Sequence, residues 1–167
     1  GDRSRVYLLN SALLSILGDV AGKRILDAGC GNGYLCRMLA RREAKVVGVD
    51  LSSAWIEIAR NREPELGIIY HVGSIAHMPF LADDSFDAVV SVCVLMDTRD
   101  YEKALGEMHR VLVRGGILAL AIMHPCFASP PGCGWERHAV DSTRPEDRRY
   151  WRVRDYLQRT WEDWHWE

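Results

Sequence analysis

The stretch Ile25-Leu26-Asp27-Ala28-Gly29-Cys30-Gly31-Asn32-Gly33 constrains this chain more than any other. Two apolar residues run into a carboxylate, and three glycines follow within five positions. A helix-like pattern (Tyr34, Leu35, Met38, Leu39) starts directly after. That order describes a strand, a tight turn with almost no side chains, and a helix whose N-terminus faces whatever lies above the turn. Glycine lets backbone approach a ligand closely, and the first N–H groups of a helix are unused donors. The stretch therefore predicts a small-molecule site at the edge of an α/β sheet.

The remaining pattern supports such a sheet. Residues 45–50 are a short β-branched run that again ends in an aspartate, Asp50. Ser52 or Ser53 is placed to cap a helix over residues 54–62. Residues 68–72 read as a third strand ending at Gly73-Ser74. Residues 86–94 are nearly all apolar, as in a strand buried on both faces. Helical spacing returns at Tyr101, Ala104, Leu105, Met108, Val111 and Leu112, and Gly115-Gly116 turns the chain into a fifth strand over 117–123. A helical stripe from Val6 to Leu17 precedes the first strand, residues 24–28. Alternating strands and helices predict a doubly wound, mostly parallel Rossmann-like α/β sheet with right-handed crossovers. In such sheets ligands bind outside the carboxyl ends of the strands. The glycine turn, Asp50, Gly73-Ser74 and residues 92–96 all fall at those ends.

After Pro125 the character changes to a Pro/Gly-rich loop and then to mixed charges with every tryptophan except Trp55. Two regions are expected: a binding core over residues 1–127, and a Trp-rich segment over 128–167 serving as a lid, substrate element or packing element. Net charge is −2, which gives no field to recruit nucleic acid or an anionic membrane. The longest apolar run, residues 116–123, is far short of the roughly 20 residues of a membrane span. Five cysteines without CxxC spacing, and opening residues without a signal-peptide plan, lead us to expect a reduced, cytoplasmic protein. His124, Cys126, Cys133 and His138 have a spacing that matches no common zinc site, so no metal is expected.

The charge at Asp27 discriminates between cofactors. A dinucleotide site favours G-x-G-x-x-G, and here Tyr34 occupies the sixth position. A carboxylate two residues before the first glycine would repel a pyrophosphate. It suits a ligand with an ammonium and a sulfonium, such as S-adenosylmethionine. Asp50, 23 residues beyond Asp27, can accept both hydroxyls of a ribose. Tyr34 either packs under the turn or touches the ligand.

Residues 25–33, 47–52, 86–91 and 110–116 resemble the successive motifs of class I S-adenosylmethionine-dependent methyltransferases. The resemblance is to the small-molecule group, methyltransferase type 11-like, and covers about residues 20–127. It implies a cofactor-binding set. Asp27, Ala28, Gly29, Cys30 and Gly31 take the methionine part, and Asp50 the ribose. Leu51 and Trp55 flank the adenine, Gly73, Ser74 and Ile75 edge it, and Ser91 and Val92 lie near the methionine amine. It also implies SN2 methyl transfer to an O, N or C atom of a small-molecule acceptor. His124 is the candidate general base or substrate contact, the alternative being a strand-end histidine that holds the loop. The family's sheet usually ends in an antiparallel hairpin, and no strands for it are found before Glu167. Two other functions are weighed: a non-catalytic S-adenosylmethionine-binding or scaffold module with a Trp-rich partner surface, and a nicotinamide oxidoreductase, against which Asp27 and Tyr34 argue.

Overall fold

The computed structural model describes residues 9–123, 134–137 and 148–152. Two compact units are present, Gly1–Ile122 and Met123–Glu167. In the first, β1 (Arg24–Ala28), β2 (Lys45–Asp50), β3 (Ile69–Val72), β4 (Phe86–Val92) and β5 (Leu112–Ala121) alternate with α1 (Asn10–Leu17), α2 (Tyr34–Ala40), α3 (Ser53–Arg60) and α4 (Tyr101–Val111). All strands are parallel, in the order β3-β2-β1-β4-β5. The chain leaves β1 for β2 on one side and reaches β4 on the other, so the order reverses beside β1. A crevice opens there, above the strand ends.

Both faces of the sheet are covered over the central strands β1 and β4, as their continuous apolar runs require. One cluster joins Leu13 and Leu17 of α1, Leu35, Cys36 and Leu39 of α2 and Ile56 and Ala59 of α3 to Ile25, Val46, Val90 and Ala119. The other packs Ala104, Met108 and Val111 of α4, with Met78 and Leu81, on Leu26, Val49 and Val89. Ser52 caps α3, its hydroxyl accepting from the Trp55 amide at 3.3 Å.

The expected β1 and β2 match the observed spans. The fifth strand differs. α4 passes into β5 at Leu112 with no intervening loop, and Gly115 and Gly116 lie inside the strand. Phe86 pairs with Leu112 and Ala88 with Ile117, so residues 113–116 bulge out of the ladder opposite Asp87 alone. The glycines form this excursion, with Gly115 at φ +80°, rather than a turn before the strand.

The five-stranded sheet carries no antiparallel hairpin among the described residues. The second unit does contain a short antiparallel pair that the reading did not find, β6 (Gly134–Arg137) with β7 (Arg148–Arg152), forming a two-stranded sheet of its own. Its strands are brief and charged, without the apolar runs by which the core strands are recognised.

Candidate active site

β1 delivers Asp27 to the strand end and the glycine turn folds back over β2. The amides of Gly29 and Cys30 both donate to the Val49 carbonyl, at 2.8 and 3.0 Å. The Gly31 amide donates to Asp50 Oδ2 at 2.7 Å, and the Ser52 amide to Asp50 Oδ1 at 2.9 Å. Asp50 thus ties the turn to the start of α3, and each carboxylate oxygen keeps a lone pair for a further donor.

Two glycine positions are dictated by geometry. Gly29 has φ +87°, and a Cβ there would lie 2.3 Å from Cγ2 of Val94. Gly31 has φ +51°, and a Cβ there would enter open space. The first glycine admits a neighbouring side chain, and the second keeps a cradle clear above its backbone.

Above the turn lies a groove with two lobes. The glycine lobe, about 280 Å³, is lined by Leu9, Asn10, Leu13, Asp27, Gly29, Cys30, Gly31, Asn32, Tyr34, Leu35, Trp55 and Val92. The second, about 660 Å³, is lined by Gly29, Gly31, Asp50, Leu51, Trp55, Ser74, Ile75 and Ala76, then by Val92, Cys93, Val94 and residues 97–100. Gly29, Gly31, Trp55 and Val92 belong to both, so the lobes join at these residues. Trp55 is half exposed and Leu51 largely exposed beside it, an apolar shelf that a flat ring can cover.

Among the described residues, those singled out from sequence converge here with three exceptions. Ala28 is fully buried and lines neither lobe. Ser91 is also buried, its hydroxyl donating to the Ala28 carbonyl at 2.8 Å, so it braces β1 against β4. Gly73 lies behind the groove, its amide donating to the Asp50 carbonyl at 2.9 Å and its α-carbon against the Phe80 ring. His124 falls outside the described residues, as do Cys126, Cys133 and His138. Among the described residues no His/Cys/Asp/Glu group could hold a metal ion.

Sequence reasoning missed the contribution of α1. Asn10 is buried and its amide donates to the Tyr34 hydroxyl at 2.7 Å across the glycine lobe. A signal was present: Asn10 shares a helical face with Leu13 and Leu17, and a polar residue on an apolar face needs a partner. The far wall combines Cys93 and Val94, within the stretch expected at the end of β4, with residues 97–100, which were unforeseen.

The electrostatics centre on Asp27. Its carboxyl is almost wholly buried and accepts from the Cys36 thiol at 3.1 Å. Burial pushes its pKa up to about 7, the Cys36 hydrogen bond opposes the rise, and the charge of Asp50 adds to it. Burial likewise raises the Cys36 thiol well above its ordinary value, which makes it a donor to Asp27 rather than a nucleophile.

A parallel doubly wound sheet with a glycine turn at its switch point and a carboxylate at the end of β2 defines a cofactor-binding α/β protein. The model of the methyltransferase domain family matches residues 26–120, more than half of the chain, and the chain belongs to that family. It is 32% identical to a malonyl-[acyl-carrier protein] O-methyltransferase of Serratia marcescens, over 79% of this chain and 50% of that one. It is 35% identical to a demethylmenaquinone methyltransferase of Renibacterium salmoninarum, over 69% of this chain and 48% of that one. The chain thus spans about half the length of these curated relatives. Among solved structures, it resembles an S-adenosylmethionine-dependent methyltransferase from Mesorhizobium loti at a TM-score of 0.75 and 33% identity, covering 88% of this chain and 64% of that one.

Proposed function

We propose that this chain binds S-adenosylmethionine in the two-lobed groove and carries out methyl transfer to an O, N or C atom of a small-molecule acceptor. The observation that carries the reading is the division of charge. A buried carboxyl, Asp27, faces the glycine lobe, and an accessible one, Asp50, faces the other. The first suits an ammonium and the second a pair of ribose hydroxyls, while neither suits a pyrophosphate. The open space at Gly31 and the shelf of Leu51 and Trp55 fit the same ligand.

When bound, this cofactor supplies a methyl group that is already activated on a sulfonium. The chain's own work is orientation and exclusion of water, which can contribute on the order of 7–11 kcal/mol in favourable model systems. Gly29, Cys30 and Gly31 present backbone, Asp50 holds the nucleoside, and the wall from Cys93 to Asp100 faces the acceptor side. A general base is needed only for an acceptor with a high-pKa proton, and His124 is the residue proposed for it. The relatives' names speak for small or carrier-bound acceptors. The Trp-rich segment is proposed as a lid or packing element.

Calorimetric titration with S-adenosylhomocysteine and with NAD tests the reading. Heat only with the first is expected, and the reverse result would end it.

A further inference from the structure

We infer that Tyr70 of β3 is a positioning residue for the cofactor. Its buried ring props the end of the glycine turn from the core side, although it lines neither lobe of the groove. The inference rests on the S-adenosylmethionine reading of that groove and adds to it a residue that touches no ligand.

The backbone holds the turn unevenly. Its first half is tied to β2, through the Val49 carbonyl and the Asp50 carboxylate. In its second half the Gly33 amide donates to the Cys30 carbonyl at 2.9 Å, and the Asn32 carbonyl accepts from the Arg37 guanidinium at 2.7 Å. Those bonds close the turn on itself and on α2 without reaching the sheet. Tyr70 makes that connection by packing. It pairs in register with Gly48 of β2, and a Cβ at Gly48 would lie 2.8 Å from the Tyr70 ring. A Cβ at Gly33 would overlap the Tyr70 hydroxyl. Glycine at both positions thus makes room for one side chain, which runs from β3 past β2 to the start of α2. Ala59 of α3 closes the same space, 3.1 Å from the position of a Gly33 Cβ.

Hydrogen bonding does not explain a tyrosine here. Its hydroxyl is buried and finds no partner among the described residues, which costs stability. Reach and rigidity explain it: a flat, stiff ring spans the distance to Gly33 and holds its place in a close-packed core. Tyr70 is only 7% exposed, and the Arg60 guanidinium at the end of α3 donates to its carbonyl at 2.6 Å. The prop is therefore itself anchored. Groups that orient a ligand depend on such support, because a small displacement of the cradle carries a large penalty.

Calorimetry with S-adenosylhomocysteine on full-length variants, combined with hydrogen exchange of the turn amides, tests the inference. Tyr70→Leu keeps an apolar side chain and removes the tip that reaches Gly33. It should weaken binding roughly tenfold or more and speed exchange at the Gly33 amide. Tyr70→Phe keeps the ring and loses only the unpartnered hydroxyl, so its affinity should stay within about threefold of the intact protein and its stability should not fall. Met108→Ala, a buried truncation in α4 on the opposite face of the sheet, is the control. It should lower stability without changing the affinity or the turn exchange of the folded protein. If Tyr70→Leu does not fold, Tyr70→Met, longer but flexible, takes its place with the same expectation. Unchanged affinity in the Tyr70→Leu protein, or an equal loss in Met108→Ala, would overturn the inference and leave the cofactor reading standing. A loss in Tyr70→Phe as large as in Tyr70→Leu would assign the effect to the hydroxyl and overturn it as well. If the intact protein binds no S-adenosylhomocysteine, the cofactor reading fails and takes this inference with it.

Discussion

Burial of the Asp27 carboxyl beside the Cys36 thiol keeps it protonated to about pH 7, well above an ordinary aspartate. The folded chain therefore holds a proton that the unfolded chain releases near pH 4. Stability from this group is fully present below that lower value and is lost as pH rises through 7. Asp27→Asn removes the titration, so chemical denaturation at pH 8 should find the free variant more stable by up to about 4 kcal/mol, with little difference at pH 4. Equal pH profiles for the two proteins would mean that Asp27 is ionised throughout. The ligand reverses the balance, because an ammonium in the glycine lobe favours the carboxylate. At pH 6, S-adenosylhomocysteine binding should release a proton, seen as a dependence of calorimetric heat on buffer ionisation. Gly29 poses a steric question instead. Gly29→Ala should weaken S-adenosylhomocysteine binding at least tenfold, because φ +87° disfavours a side chain and Val94 occupies the space its Cβ needs. Adding Val94→Ala should restore part of the loss, and a purely additive pair would rule out the contact.

Between elements, Arg110 at the end of α4 makes several polar connections at once. Its guanidinium donates to the Met78 and Leu81 carbonyls, both at 2.9 Å, and pairs with Glu107 and Asp83. Glu107 also accepts from the Met78 amide at 2.6 Å. The loop before β4 is thereby clamped to α4, and the Arg110 hydrogen bonds hold the Glu107 carboxyl well below its ordinary range. Arg110→Met should cost about 2 kcal/mol in urea denaturation near neutral pH, since two carbonyls and a carboxylate lose their partner. The cost should shrink as pH falls toward 2 and Glu107 becomes protonated; a pH-independent cost would assign the effect to packing. Some of this element layout was legible in sequence for local reasons. The β-branched run to Asp50 and the cap at Ser52 are decided within a few residues. The β5 boundary was not legible, because Gly115-Gly116 reads as a turn, and only pairing with β4 shows that it is a bulge. Asn10 was missed for a similar reason: its partner, Tyr34, is 24 residues away, and the direction in which α1 packs decides whether they meet.

At the scale of the whole chain, the reversal of strand order beside β1 gathers residues from Leu9 to Asp100 around one groove. That convergence could be anticipated, since parallel strands must place their carboxyl ends on one side. What could not be read was which residues at those ends brace the sheet, as Ser91 does, and which face the ligand. Among the described residues, every group lining either lobe lies within the first unit, and no helix is long and apolar enough to cross a membrane. The proposed division at residue 127 therefore has a direct consequence. A chain ending at residue 127 should keep S-adenosylhomocysteine affinity within about threefold of the full chain, the noise of distant, independent sites. At a ligand concentration of 100 times the dissociation constant, binding should stabilise both chains by about 2.7 kcal/mol. Thermal denaturation with and without ligand measures this directly. A shortened chain that unfolds cooperatively yet binds much more weakly would show that the Trp-rich segment forms part of the cofactor site. Equal ligand stabilisation, with methyl transfer lost only in the shortened chain, would place that segment on the acceptor side.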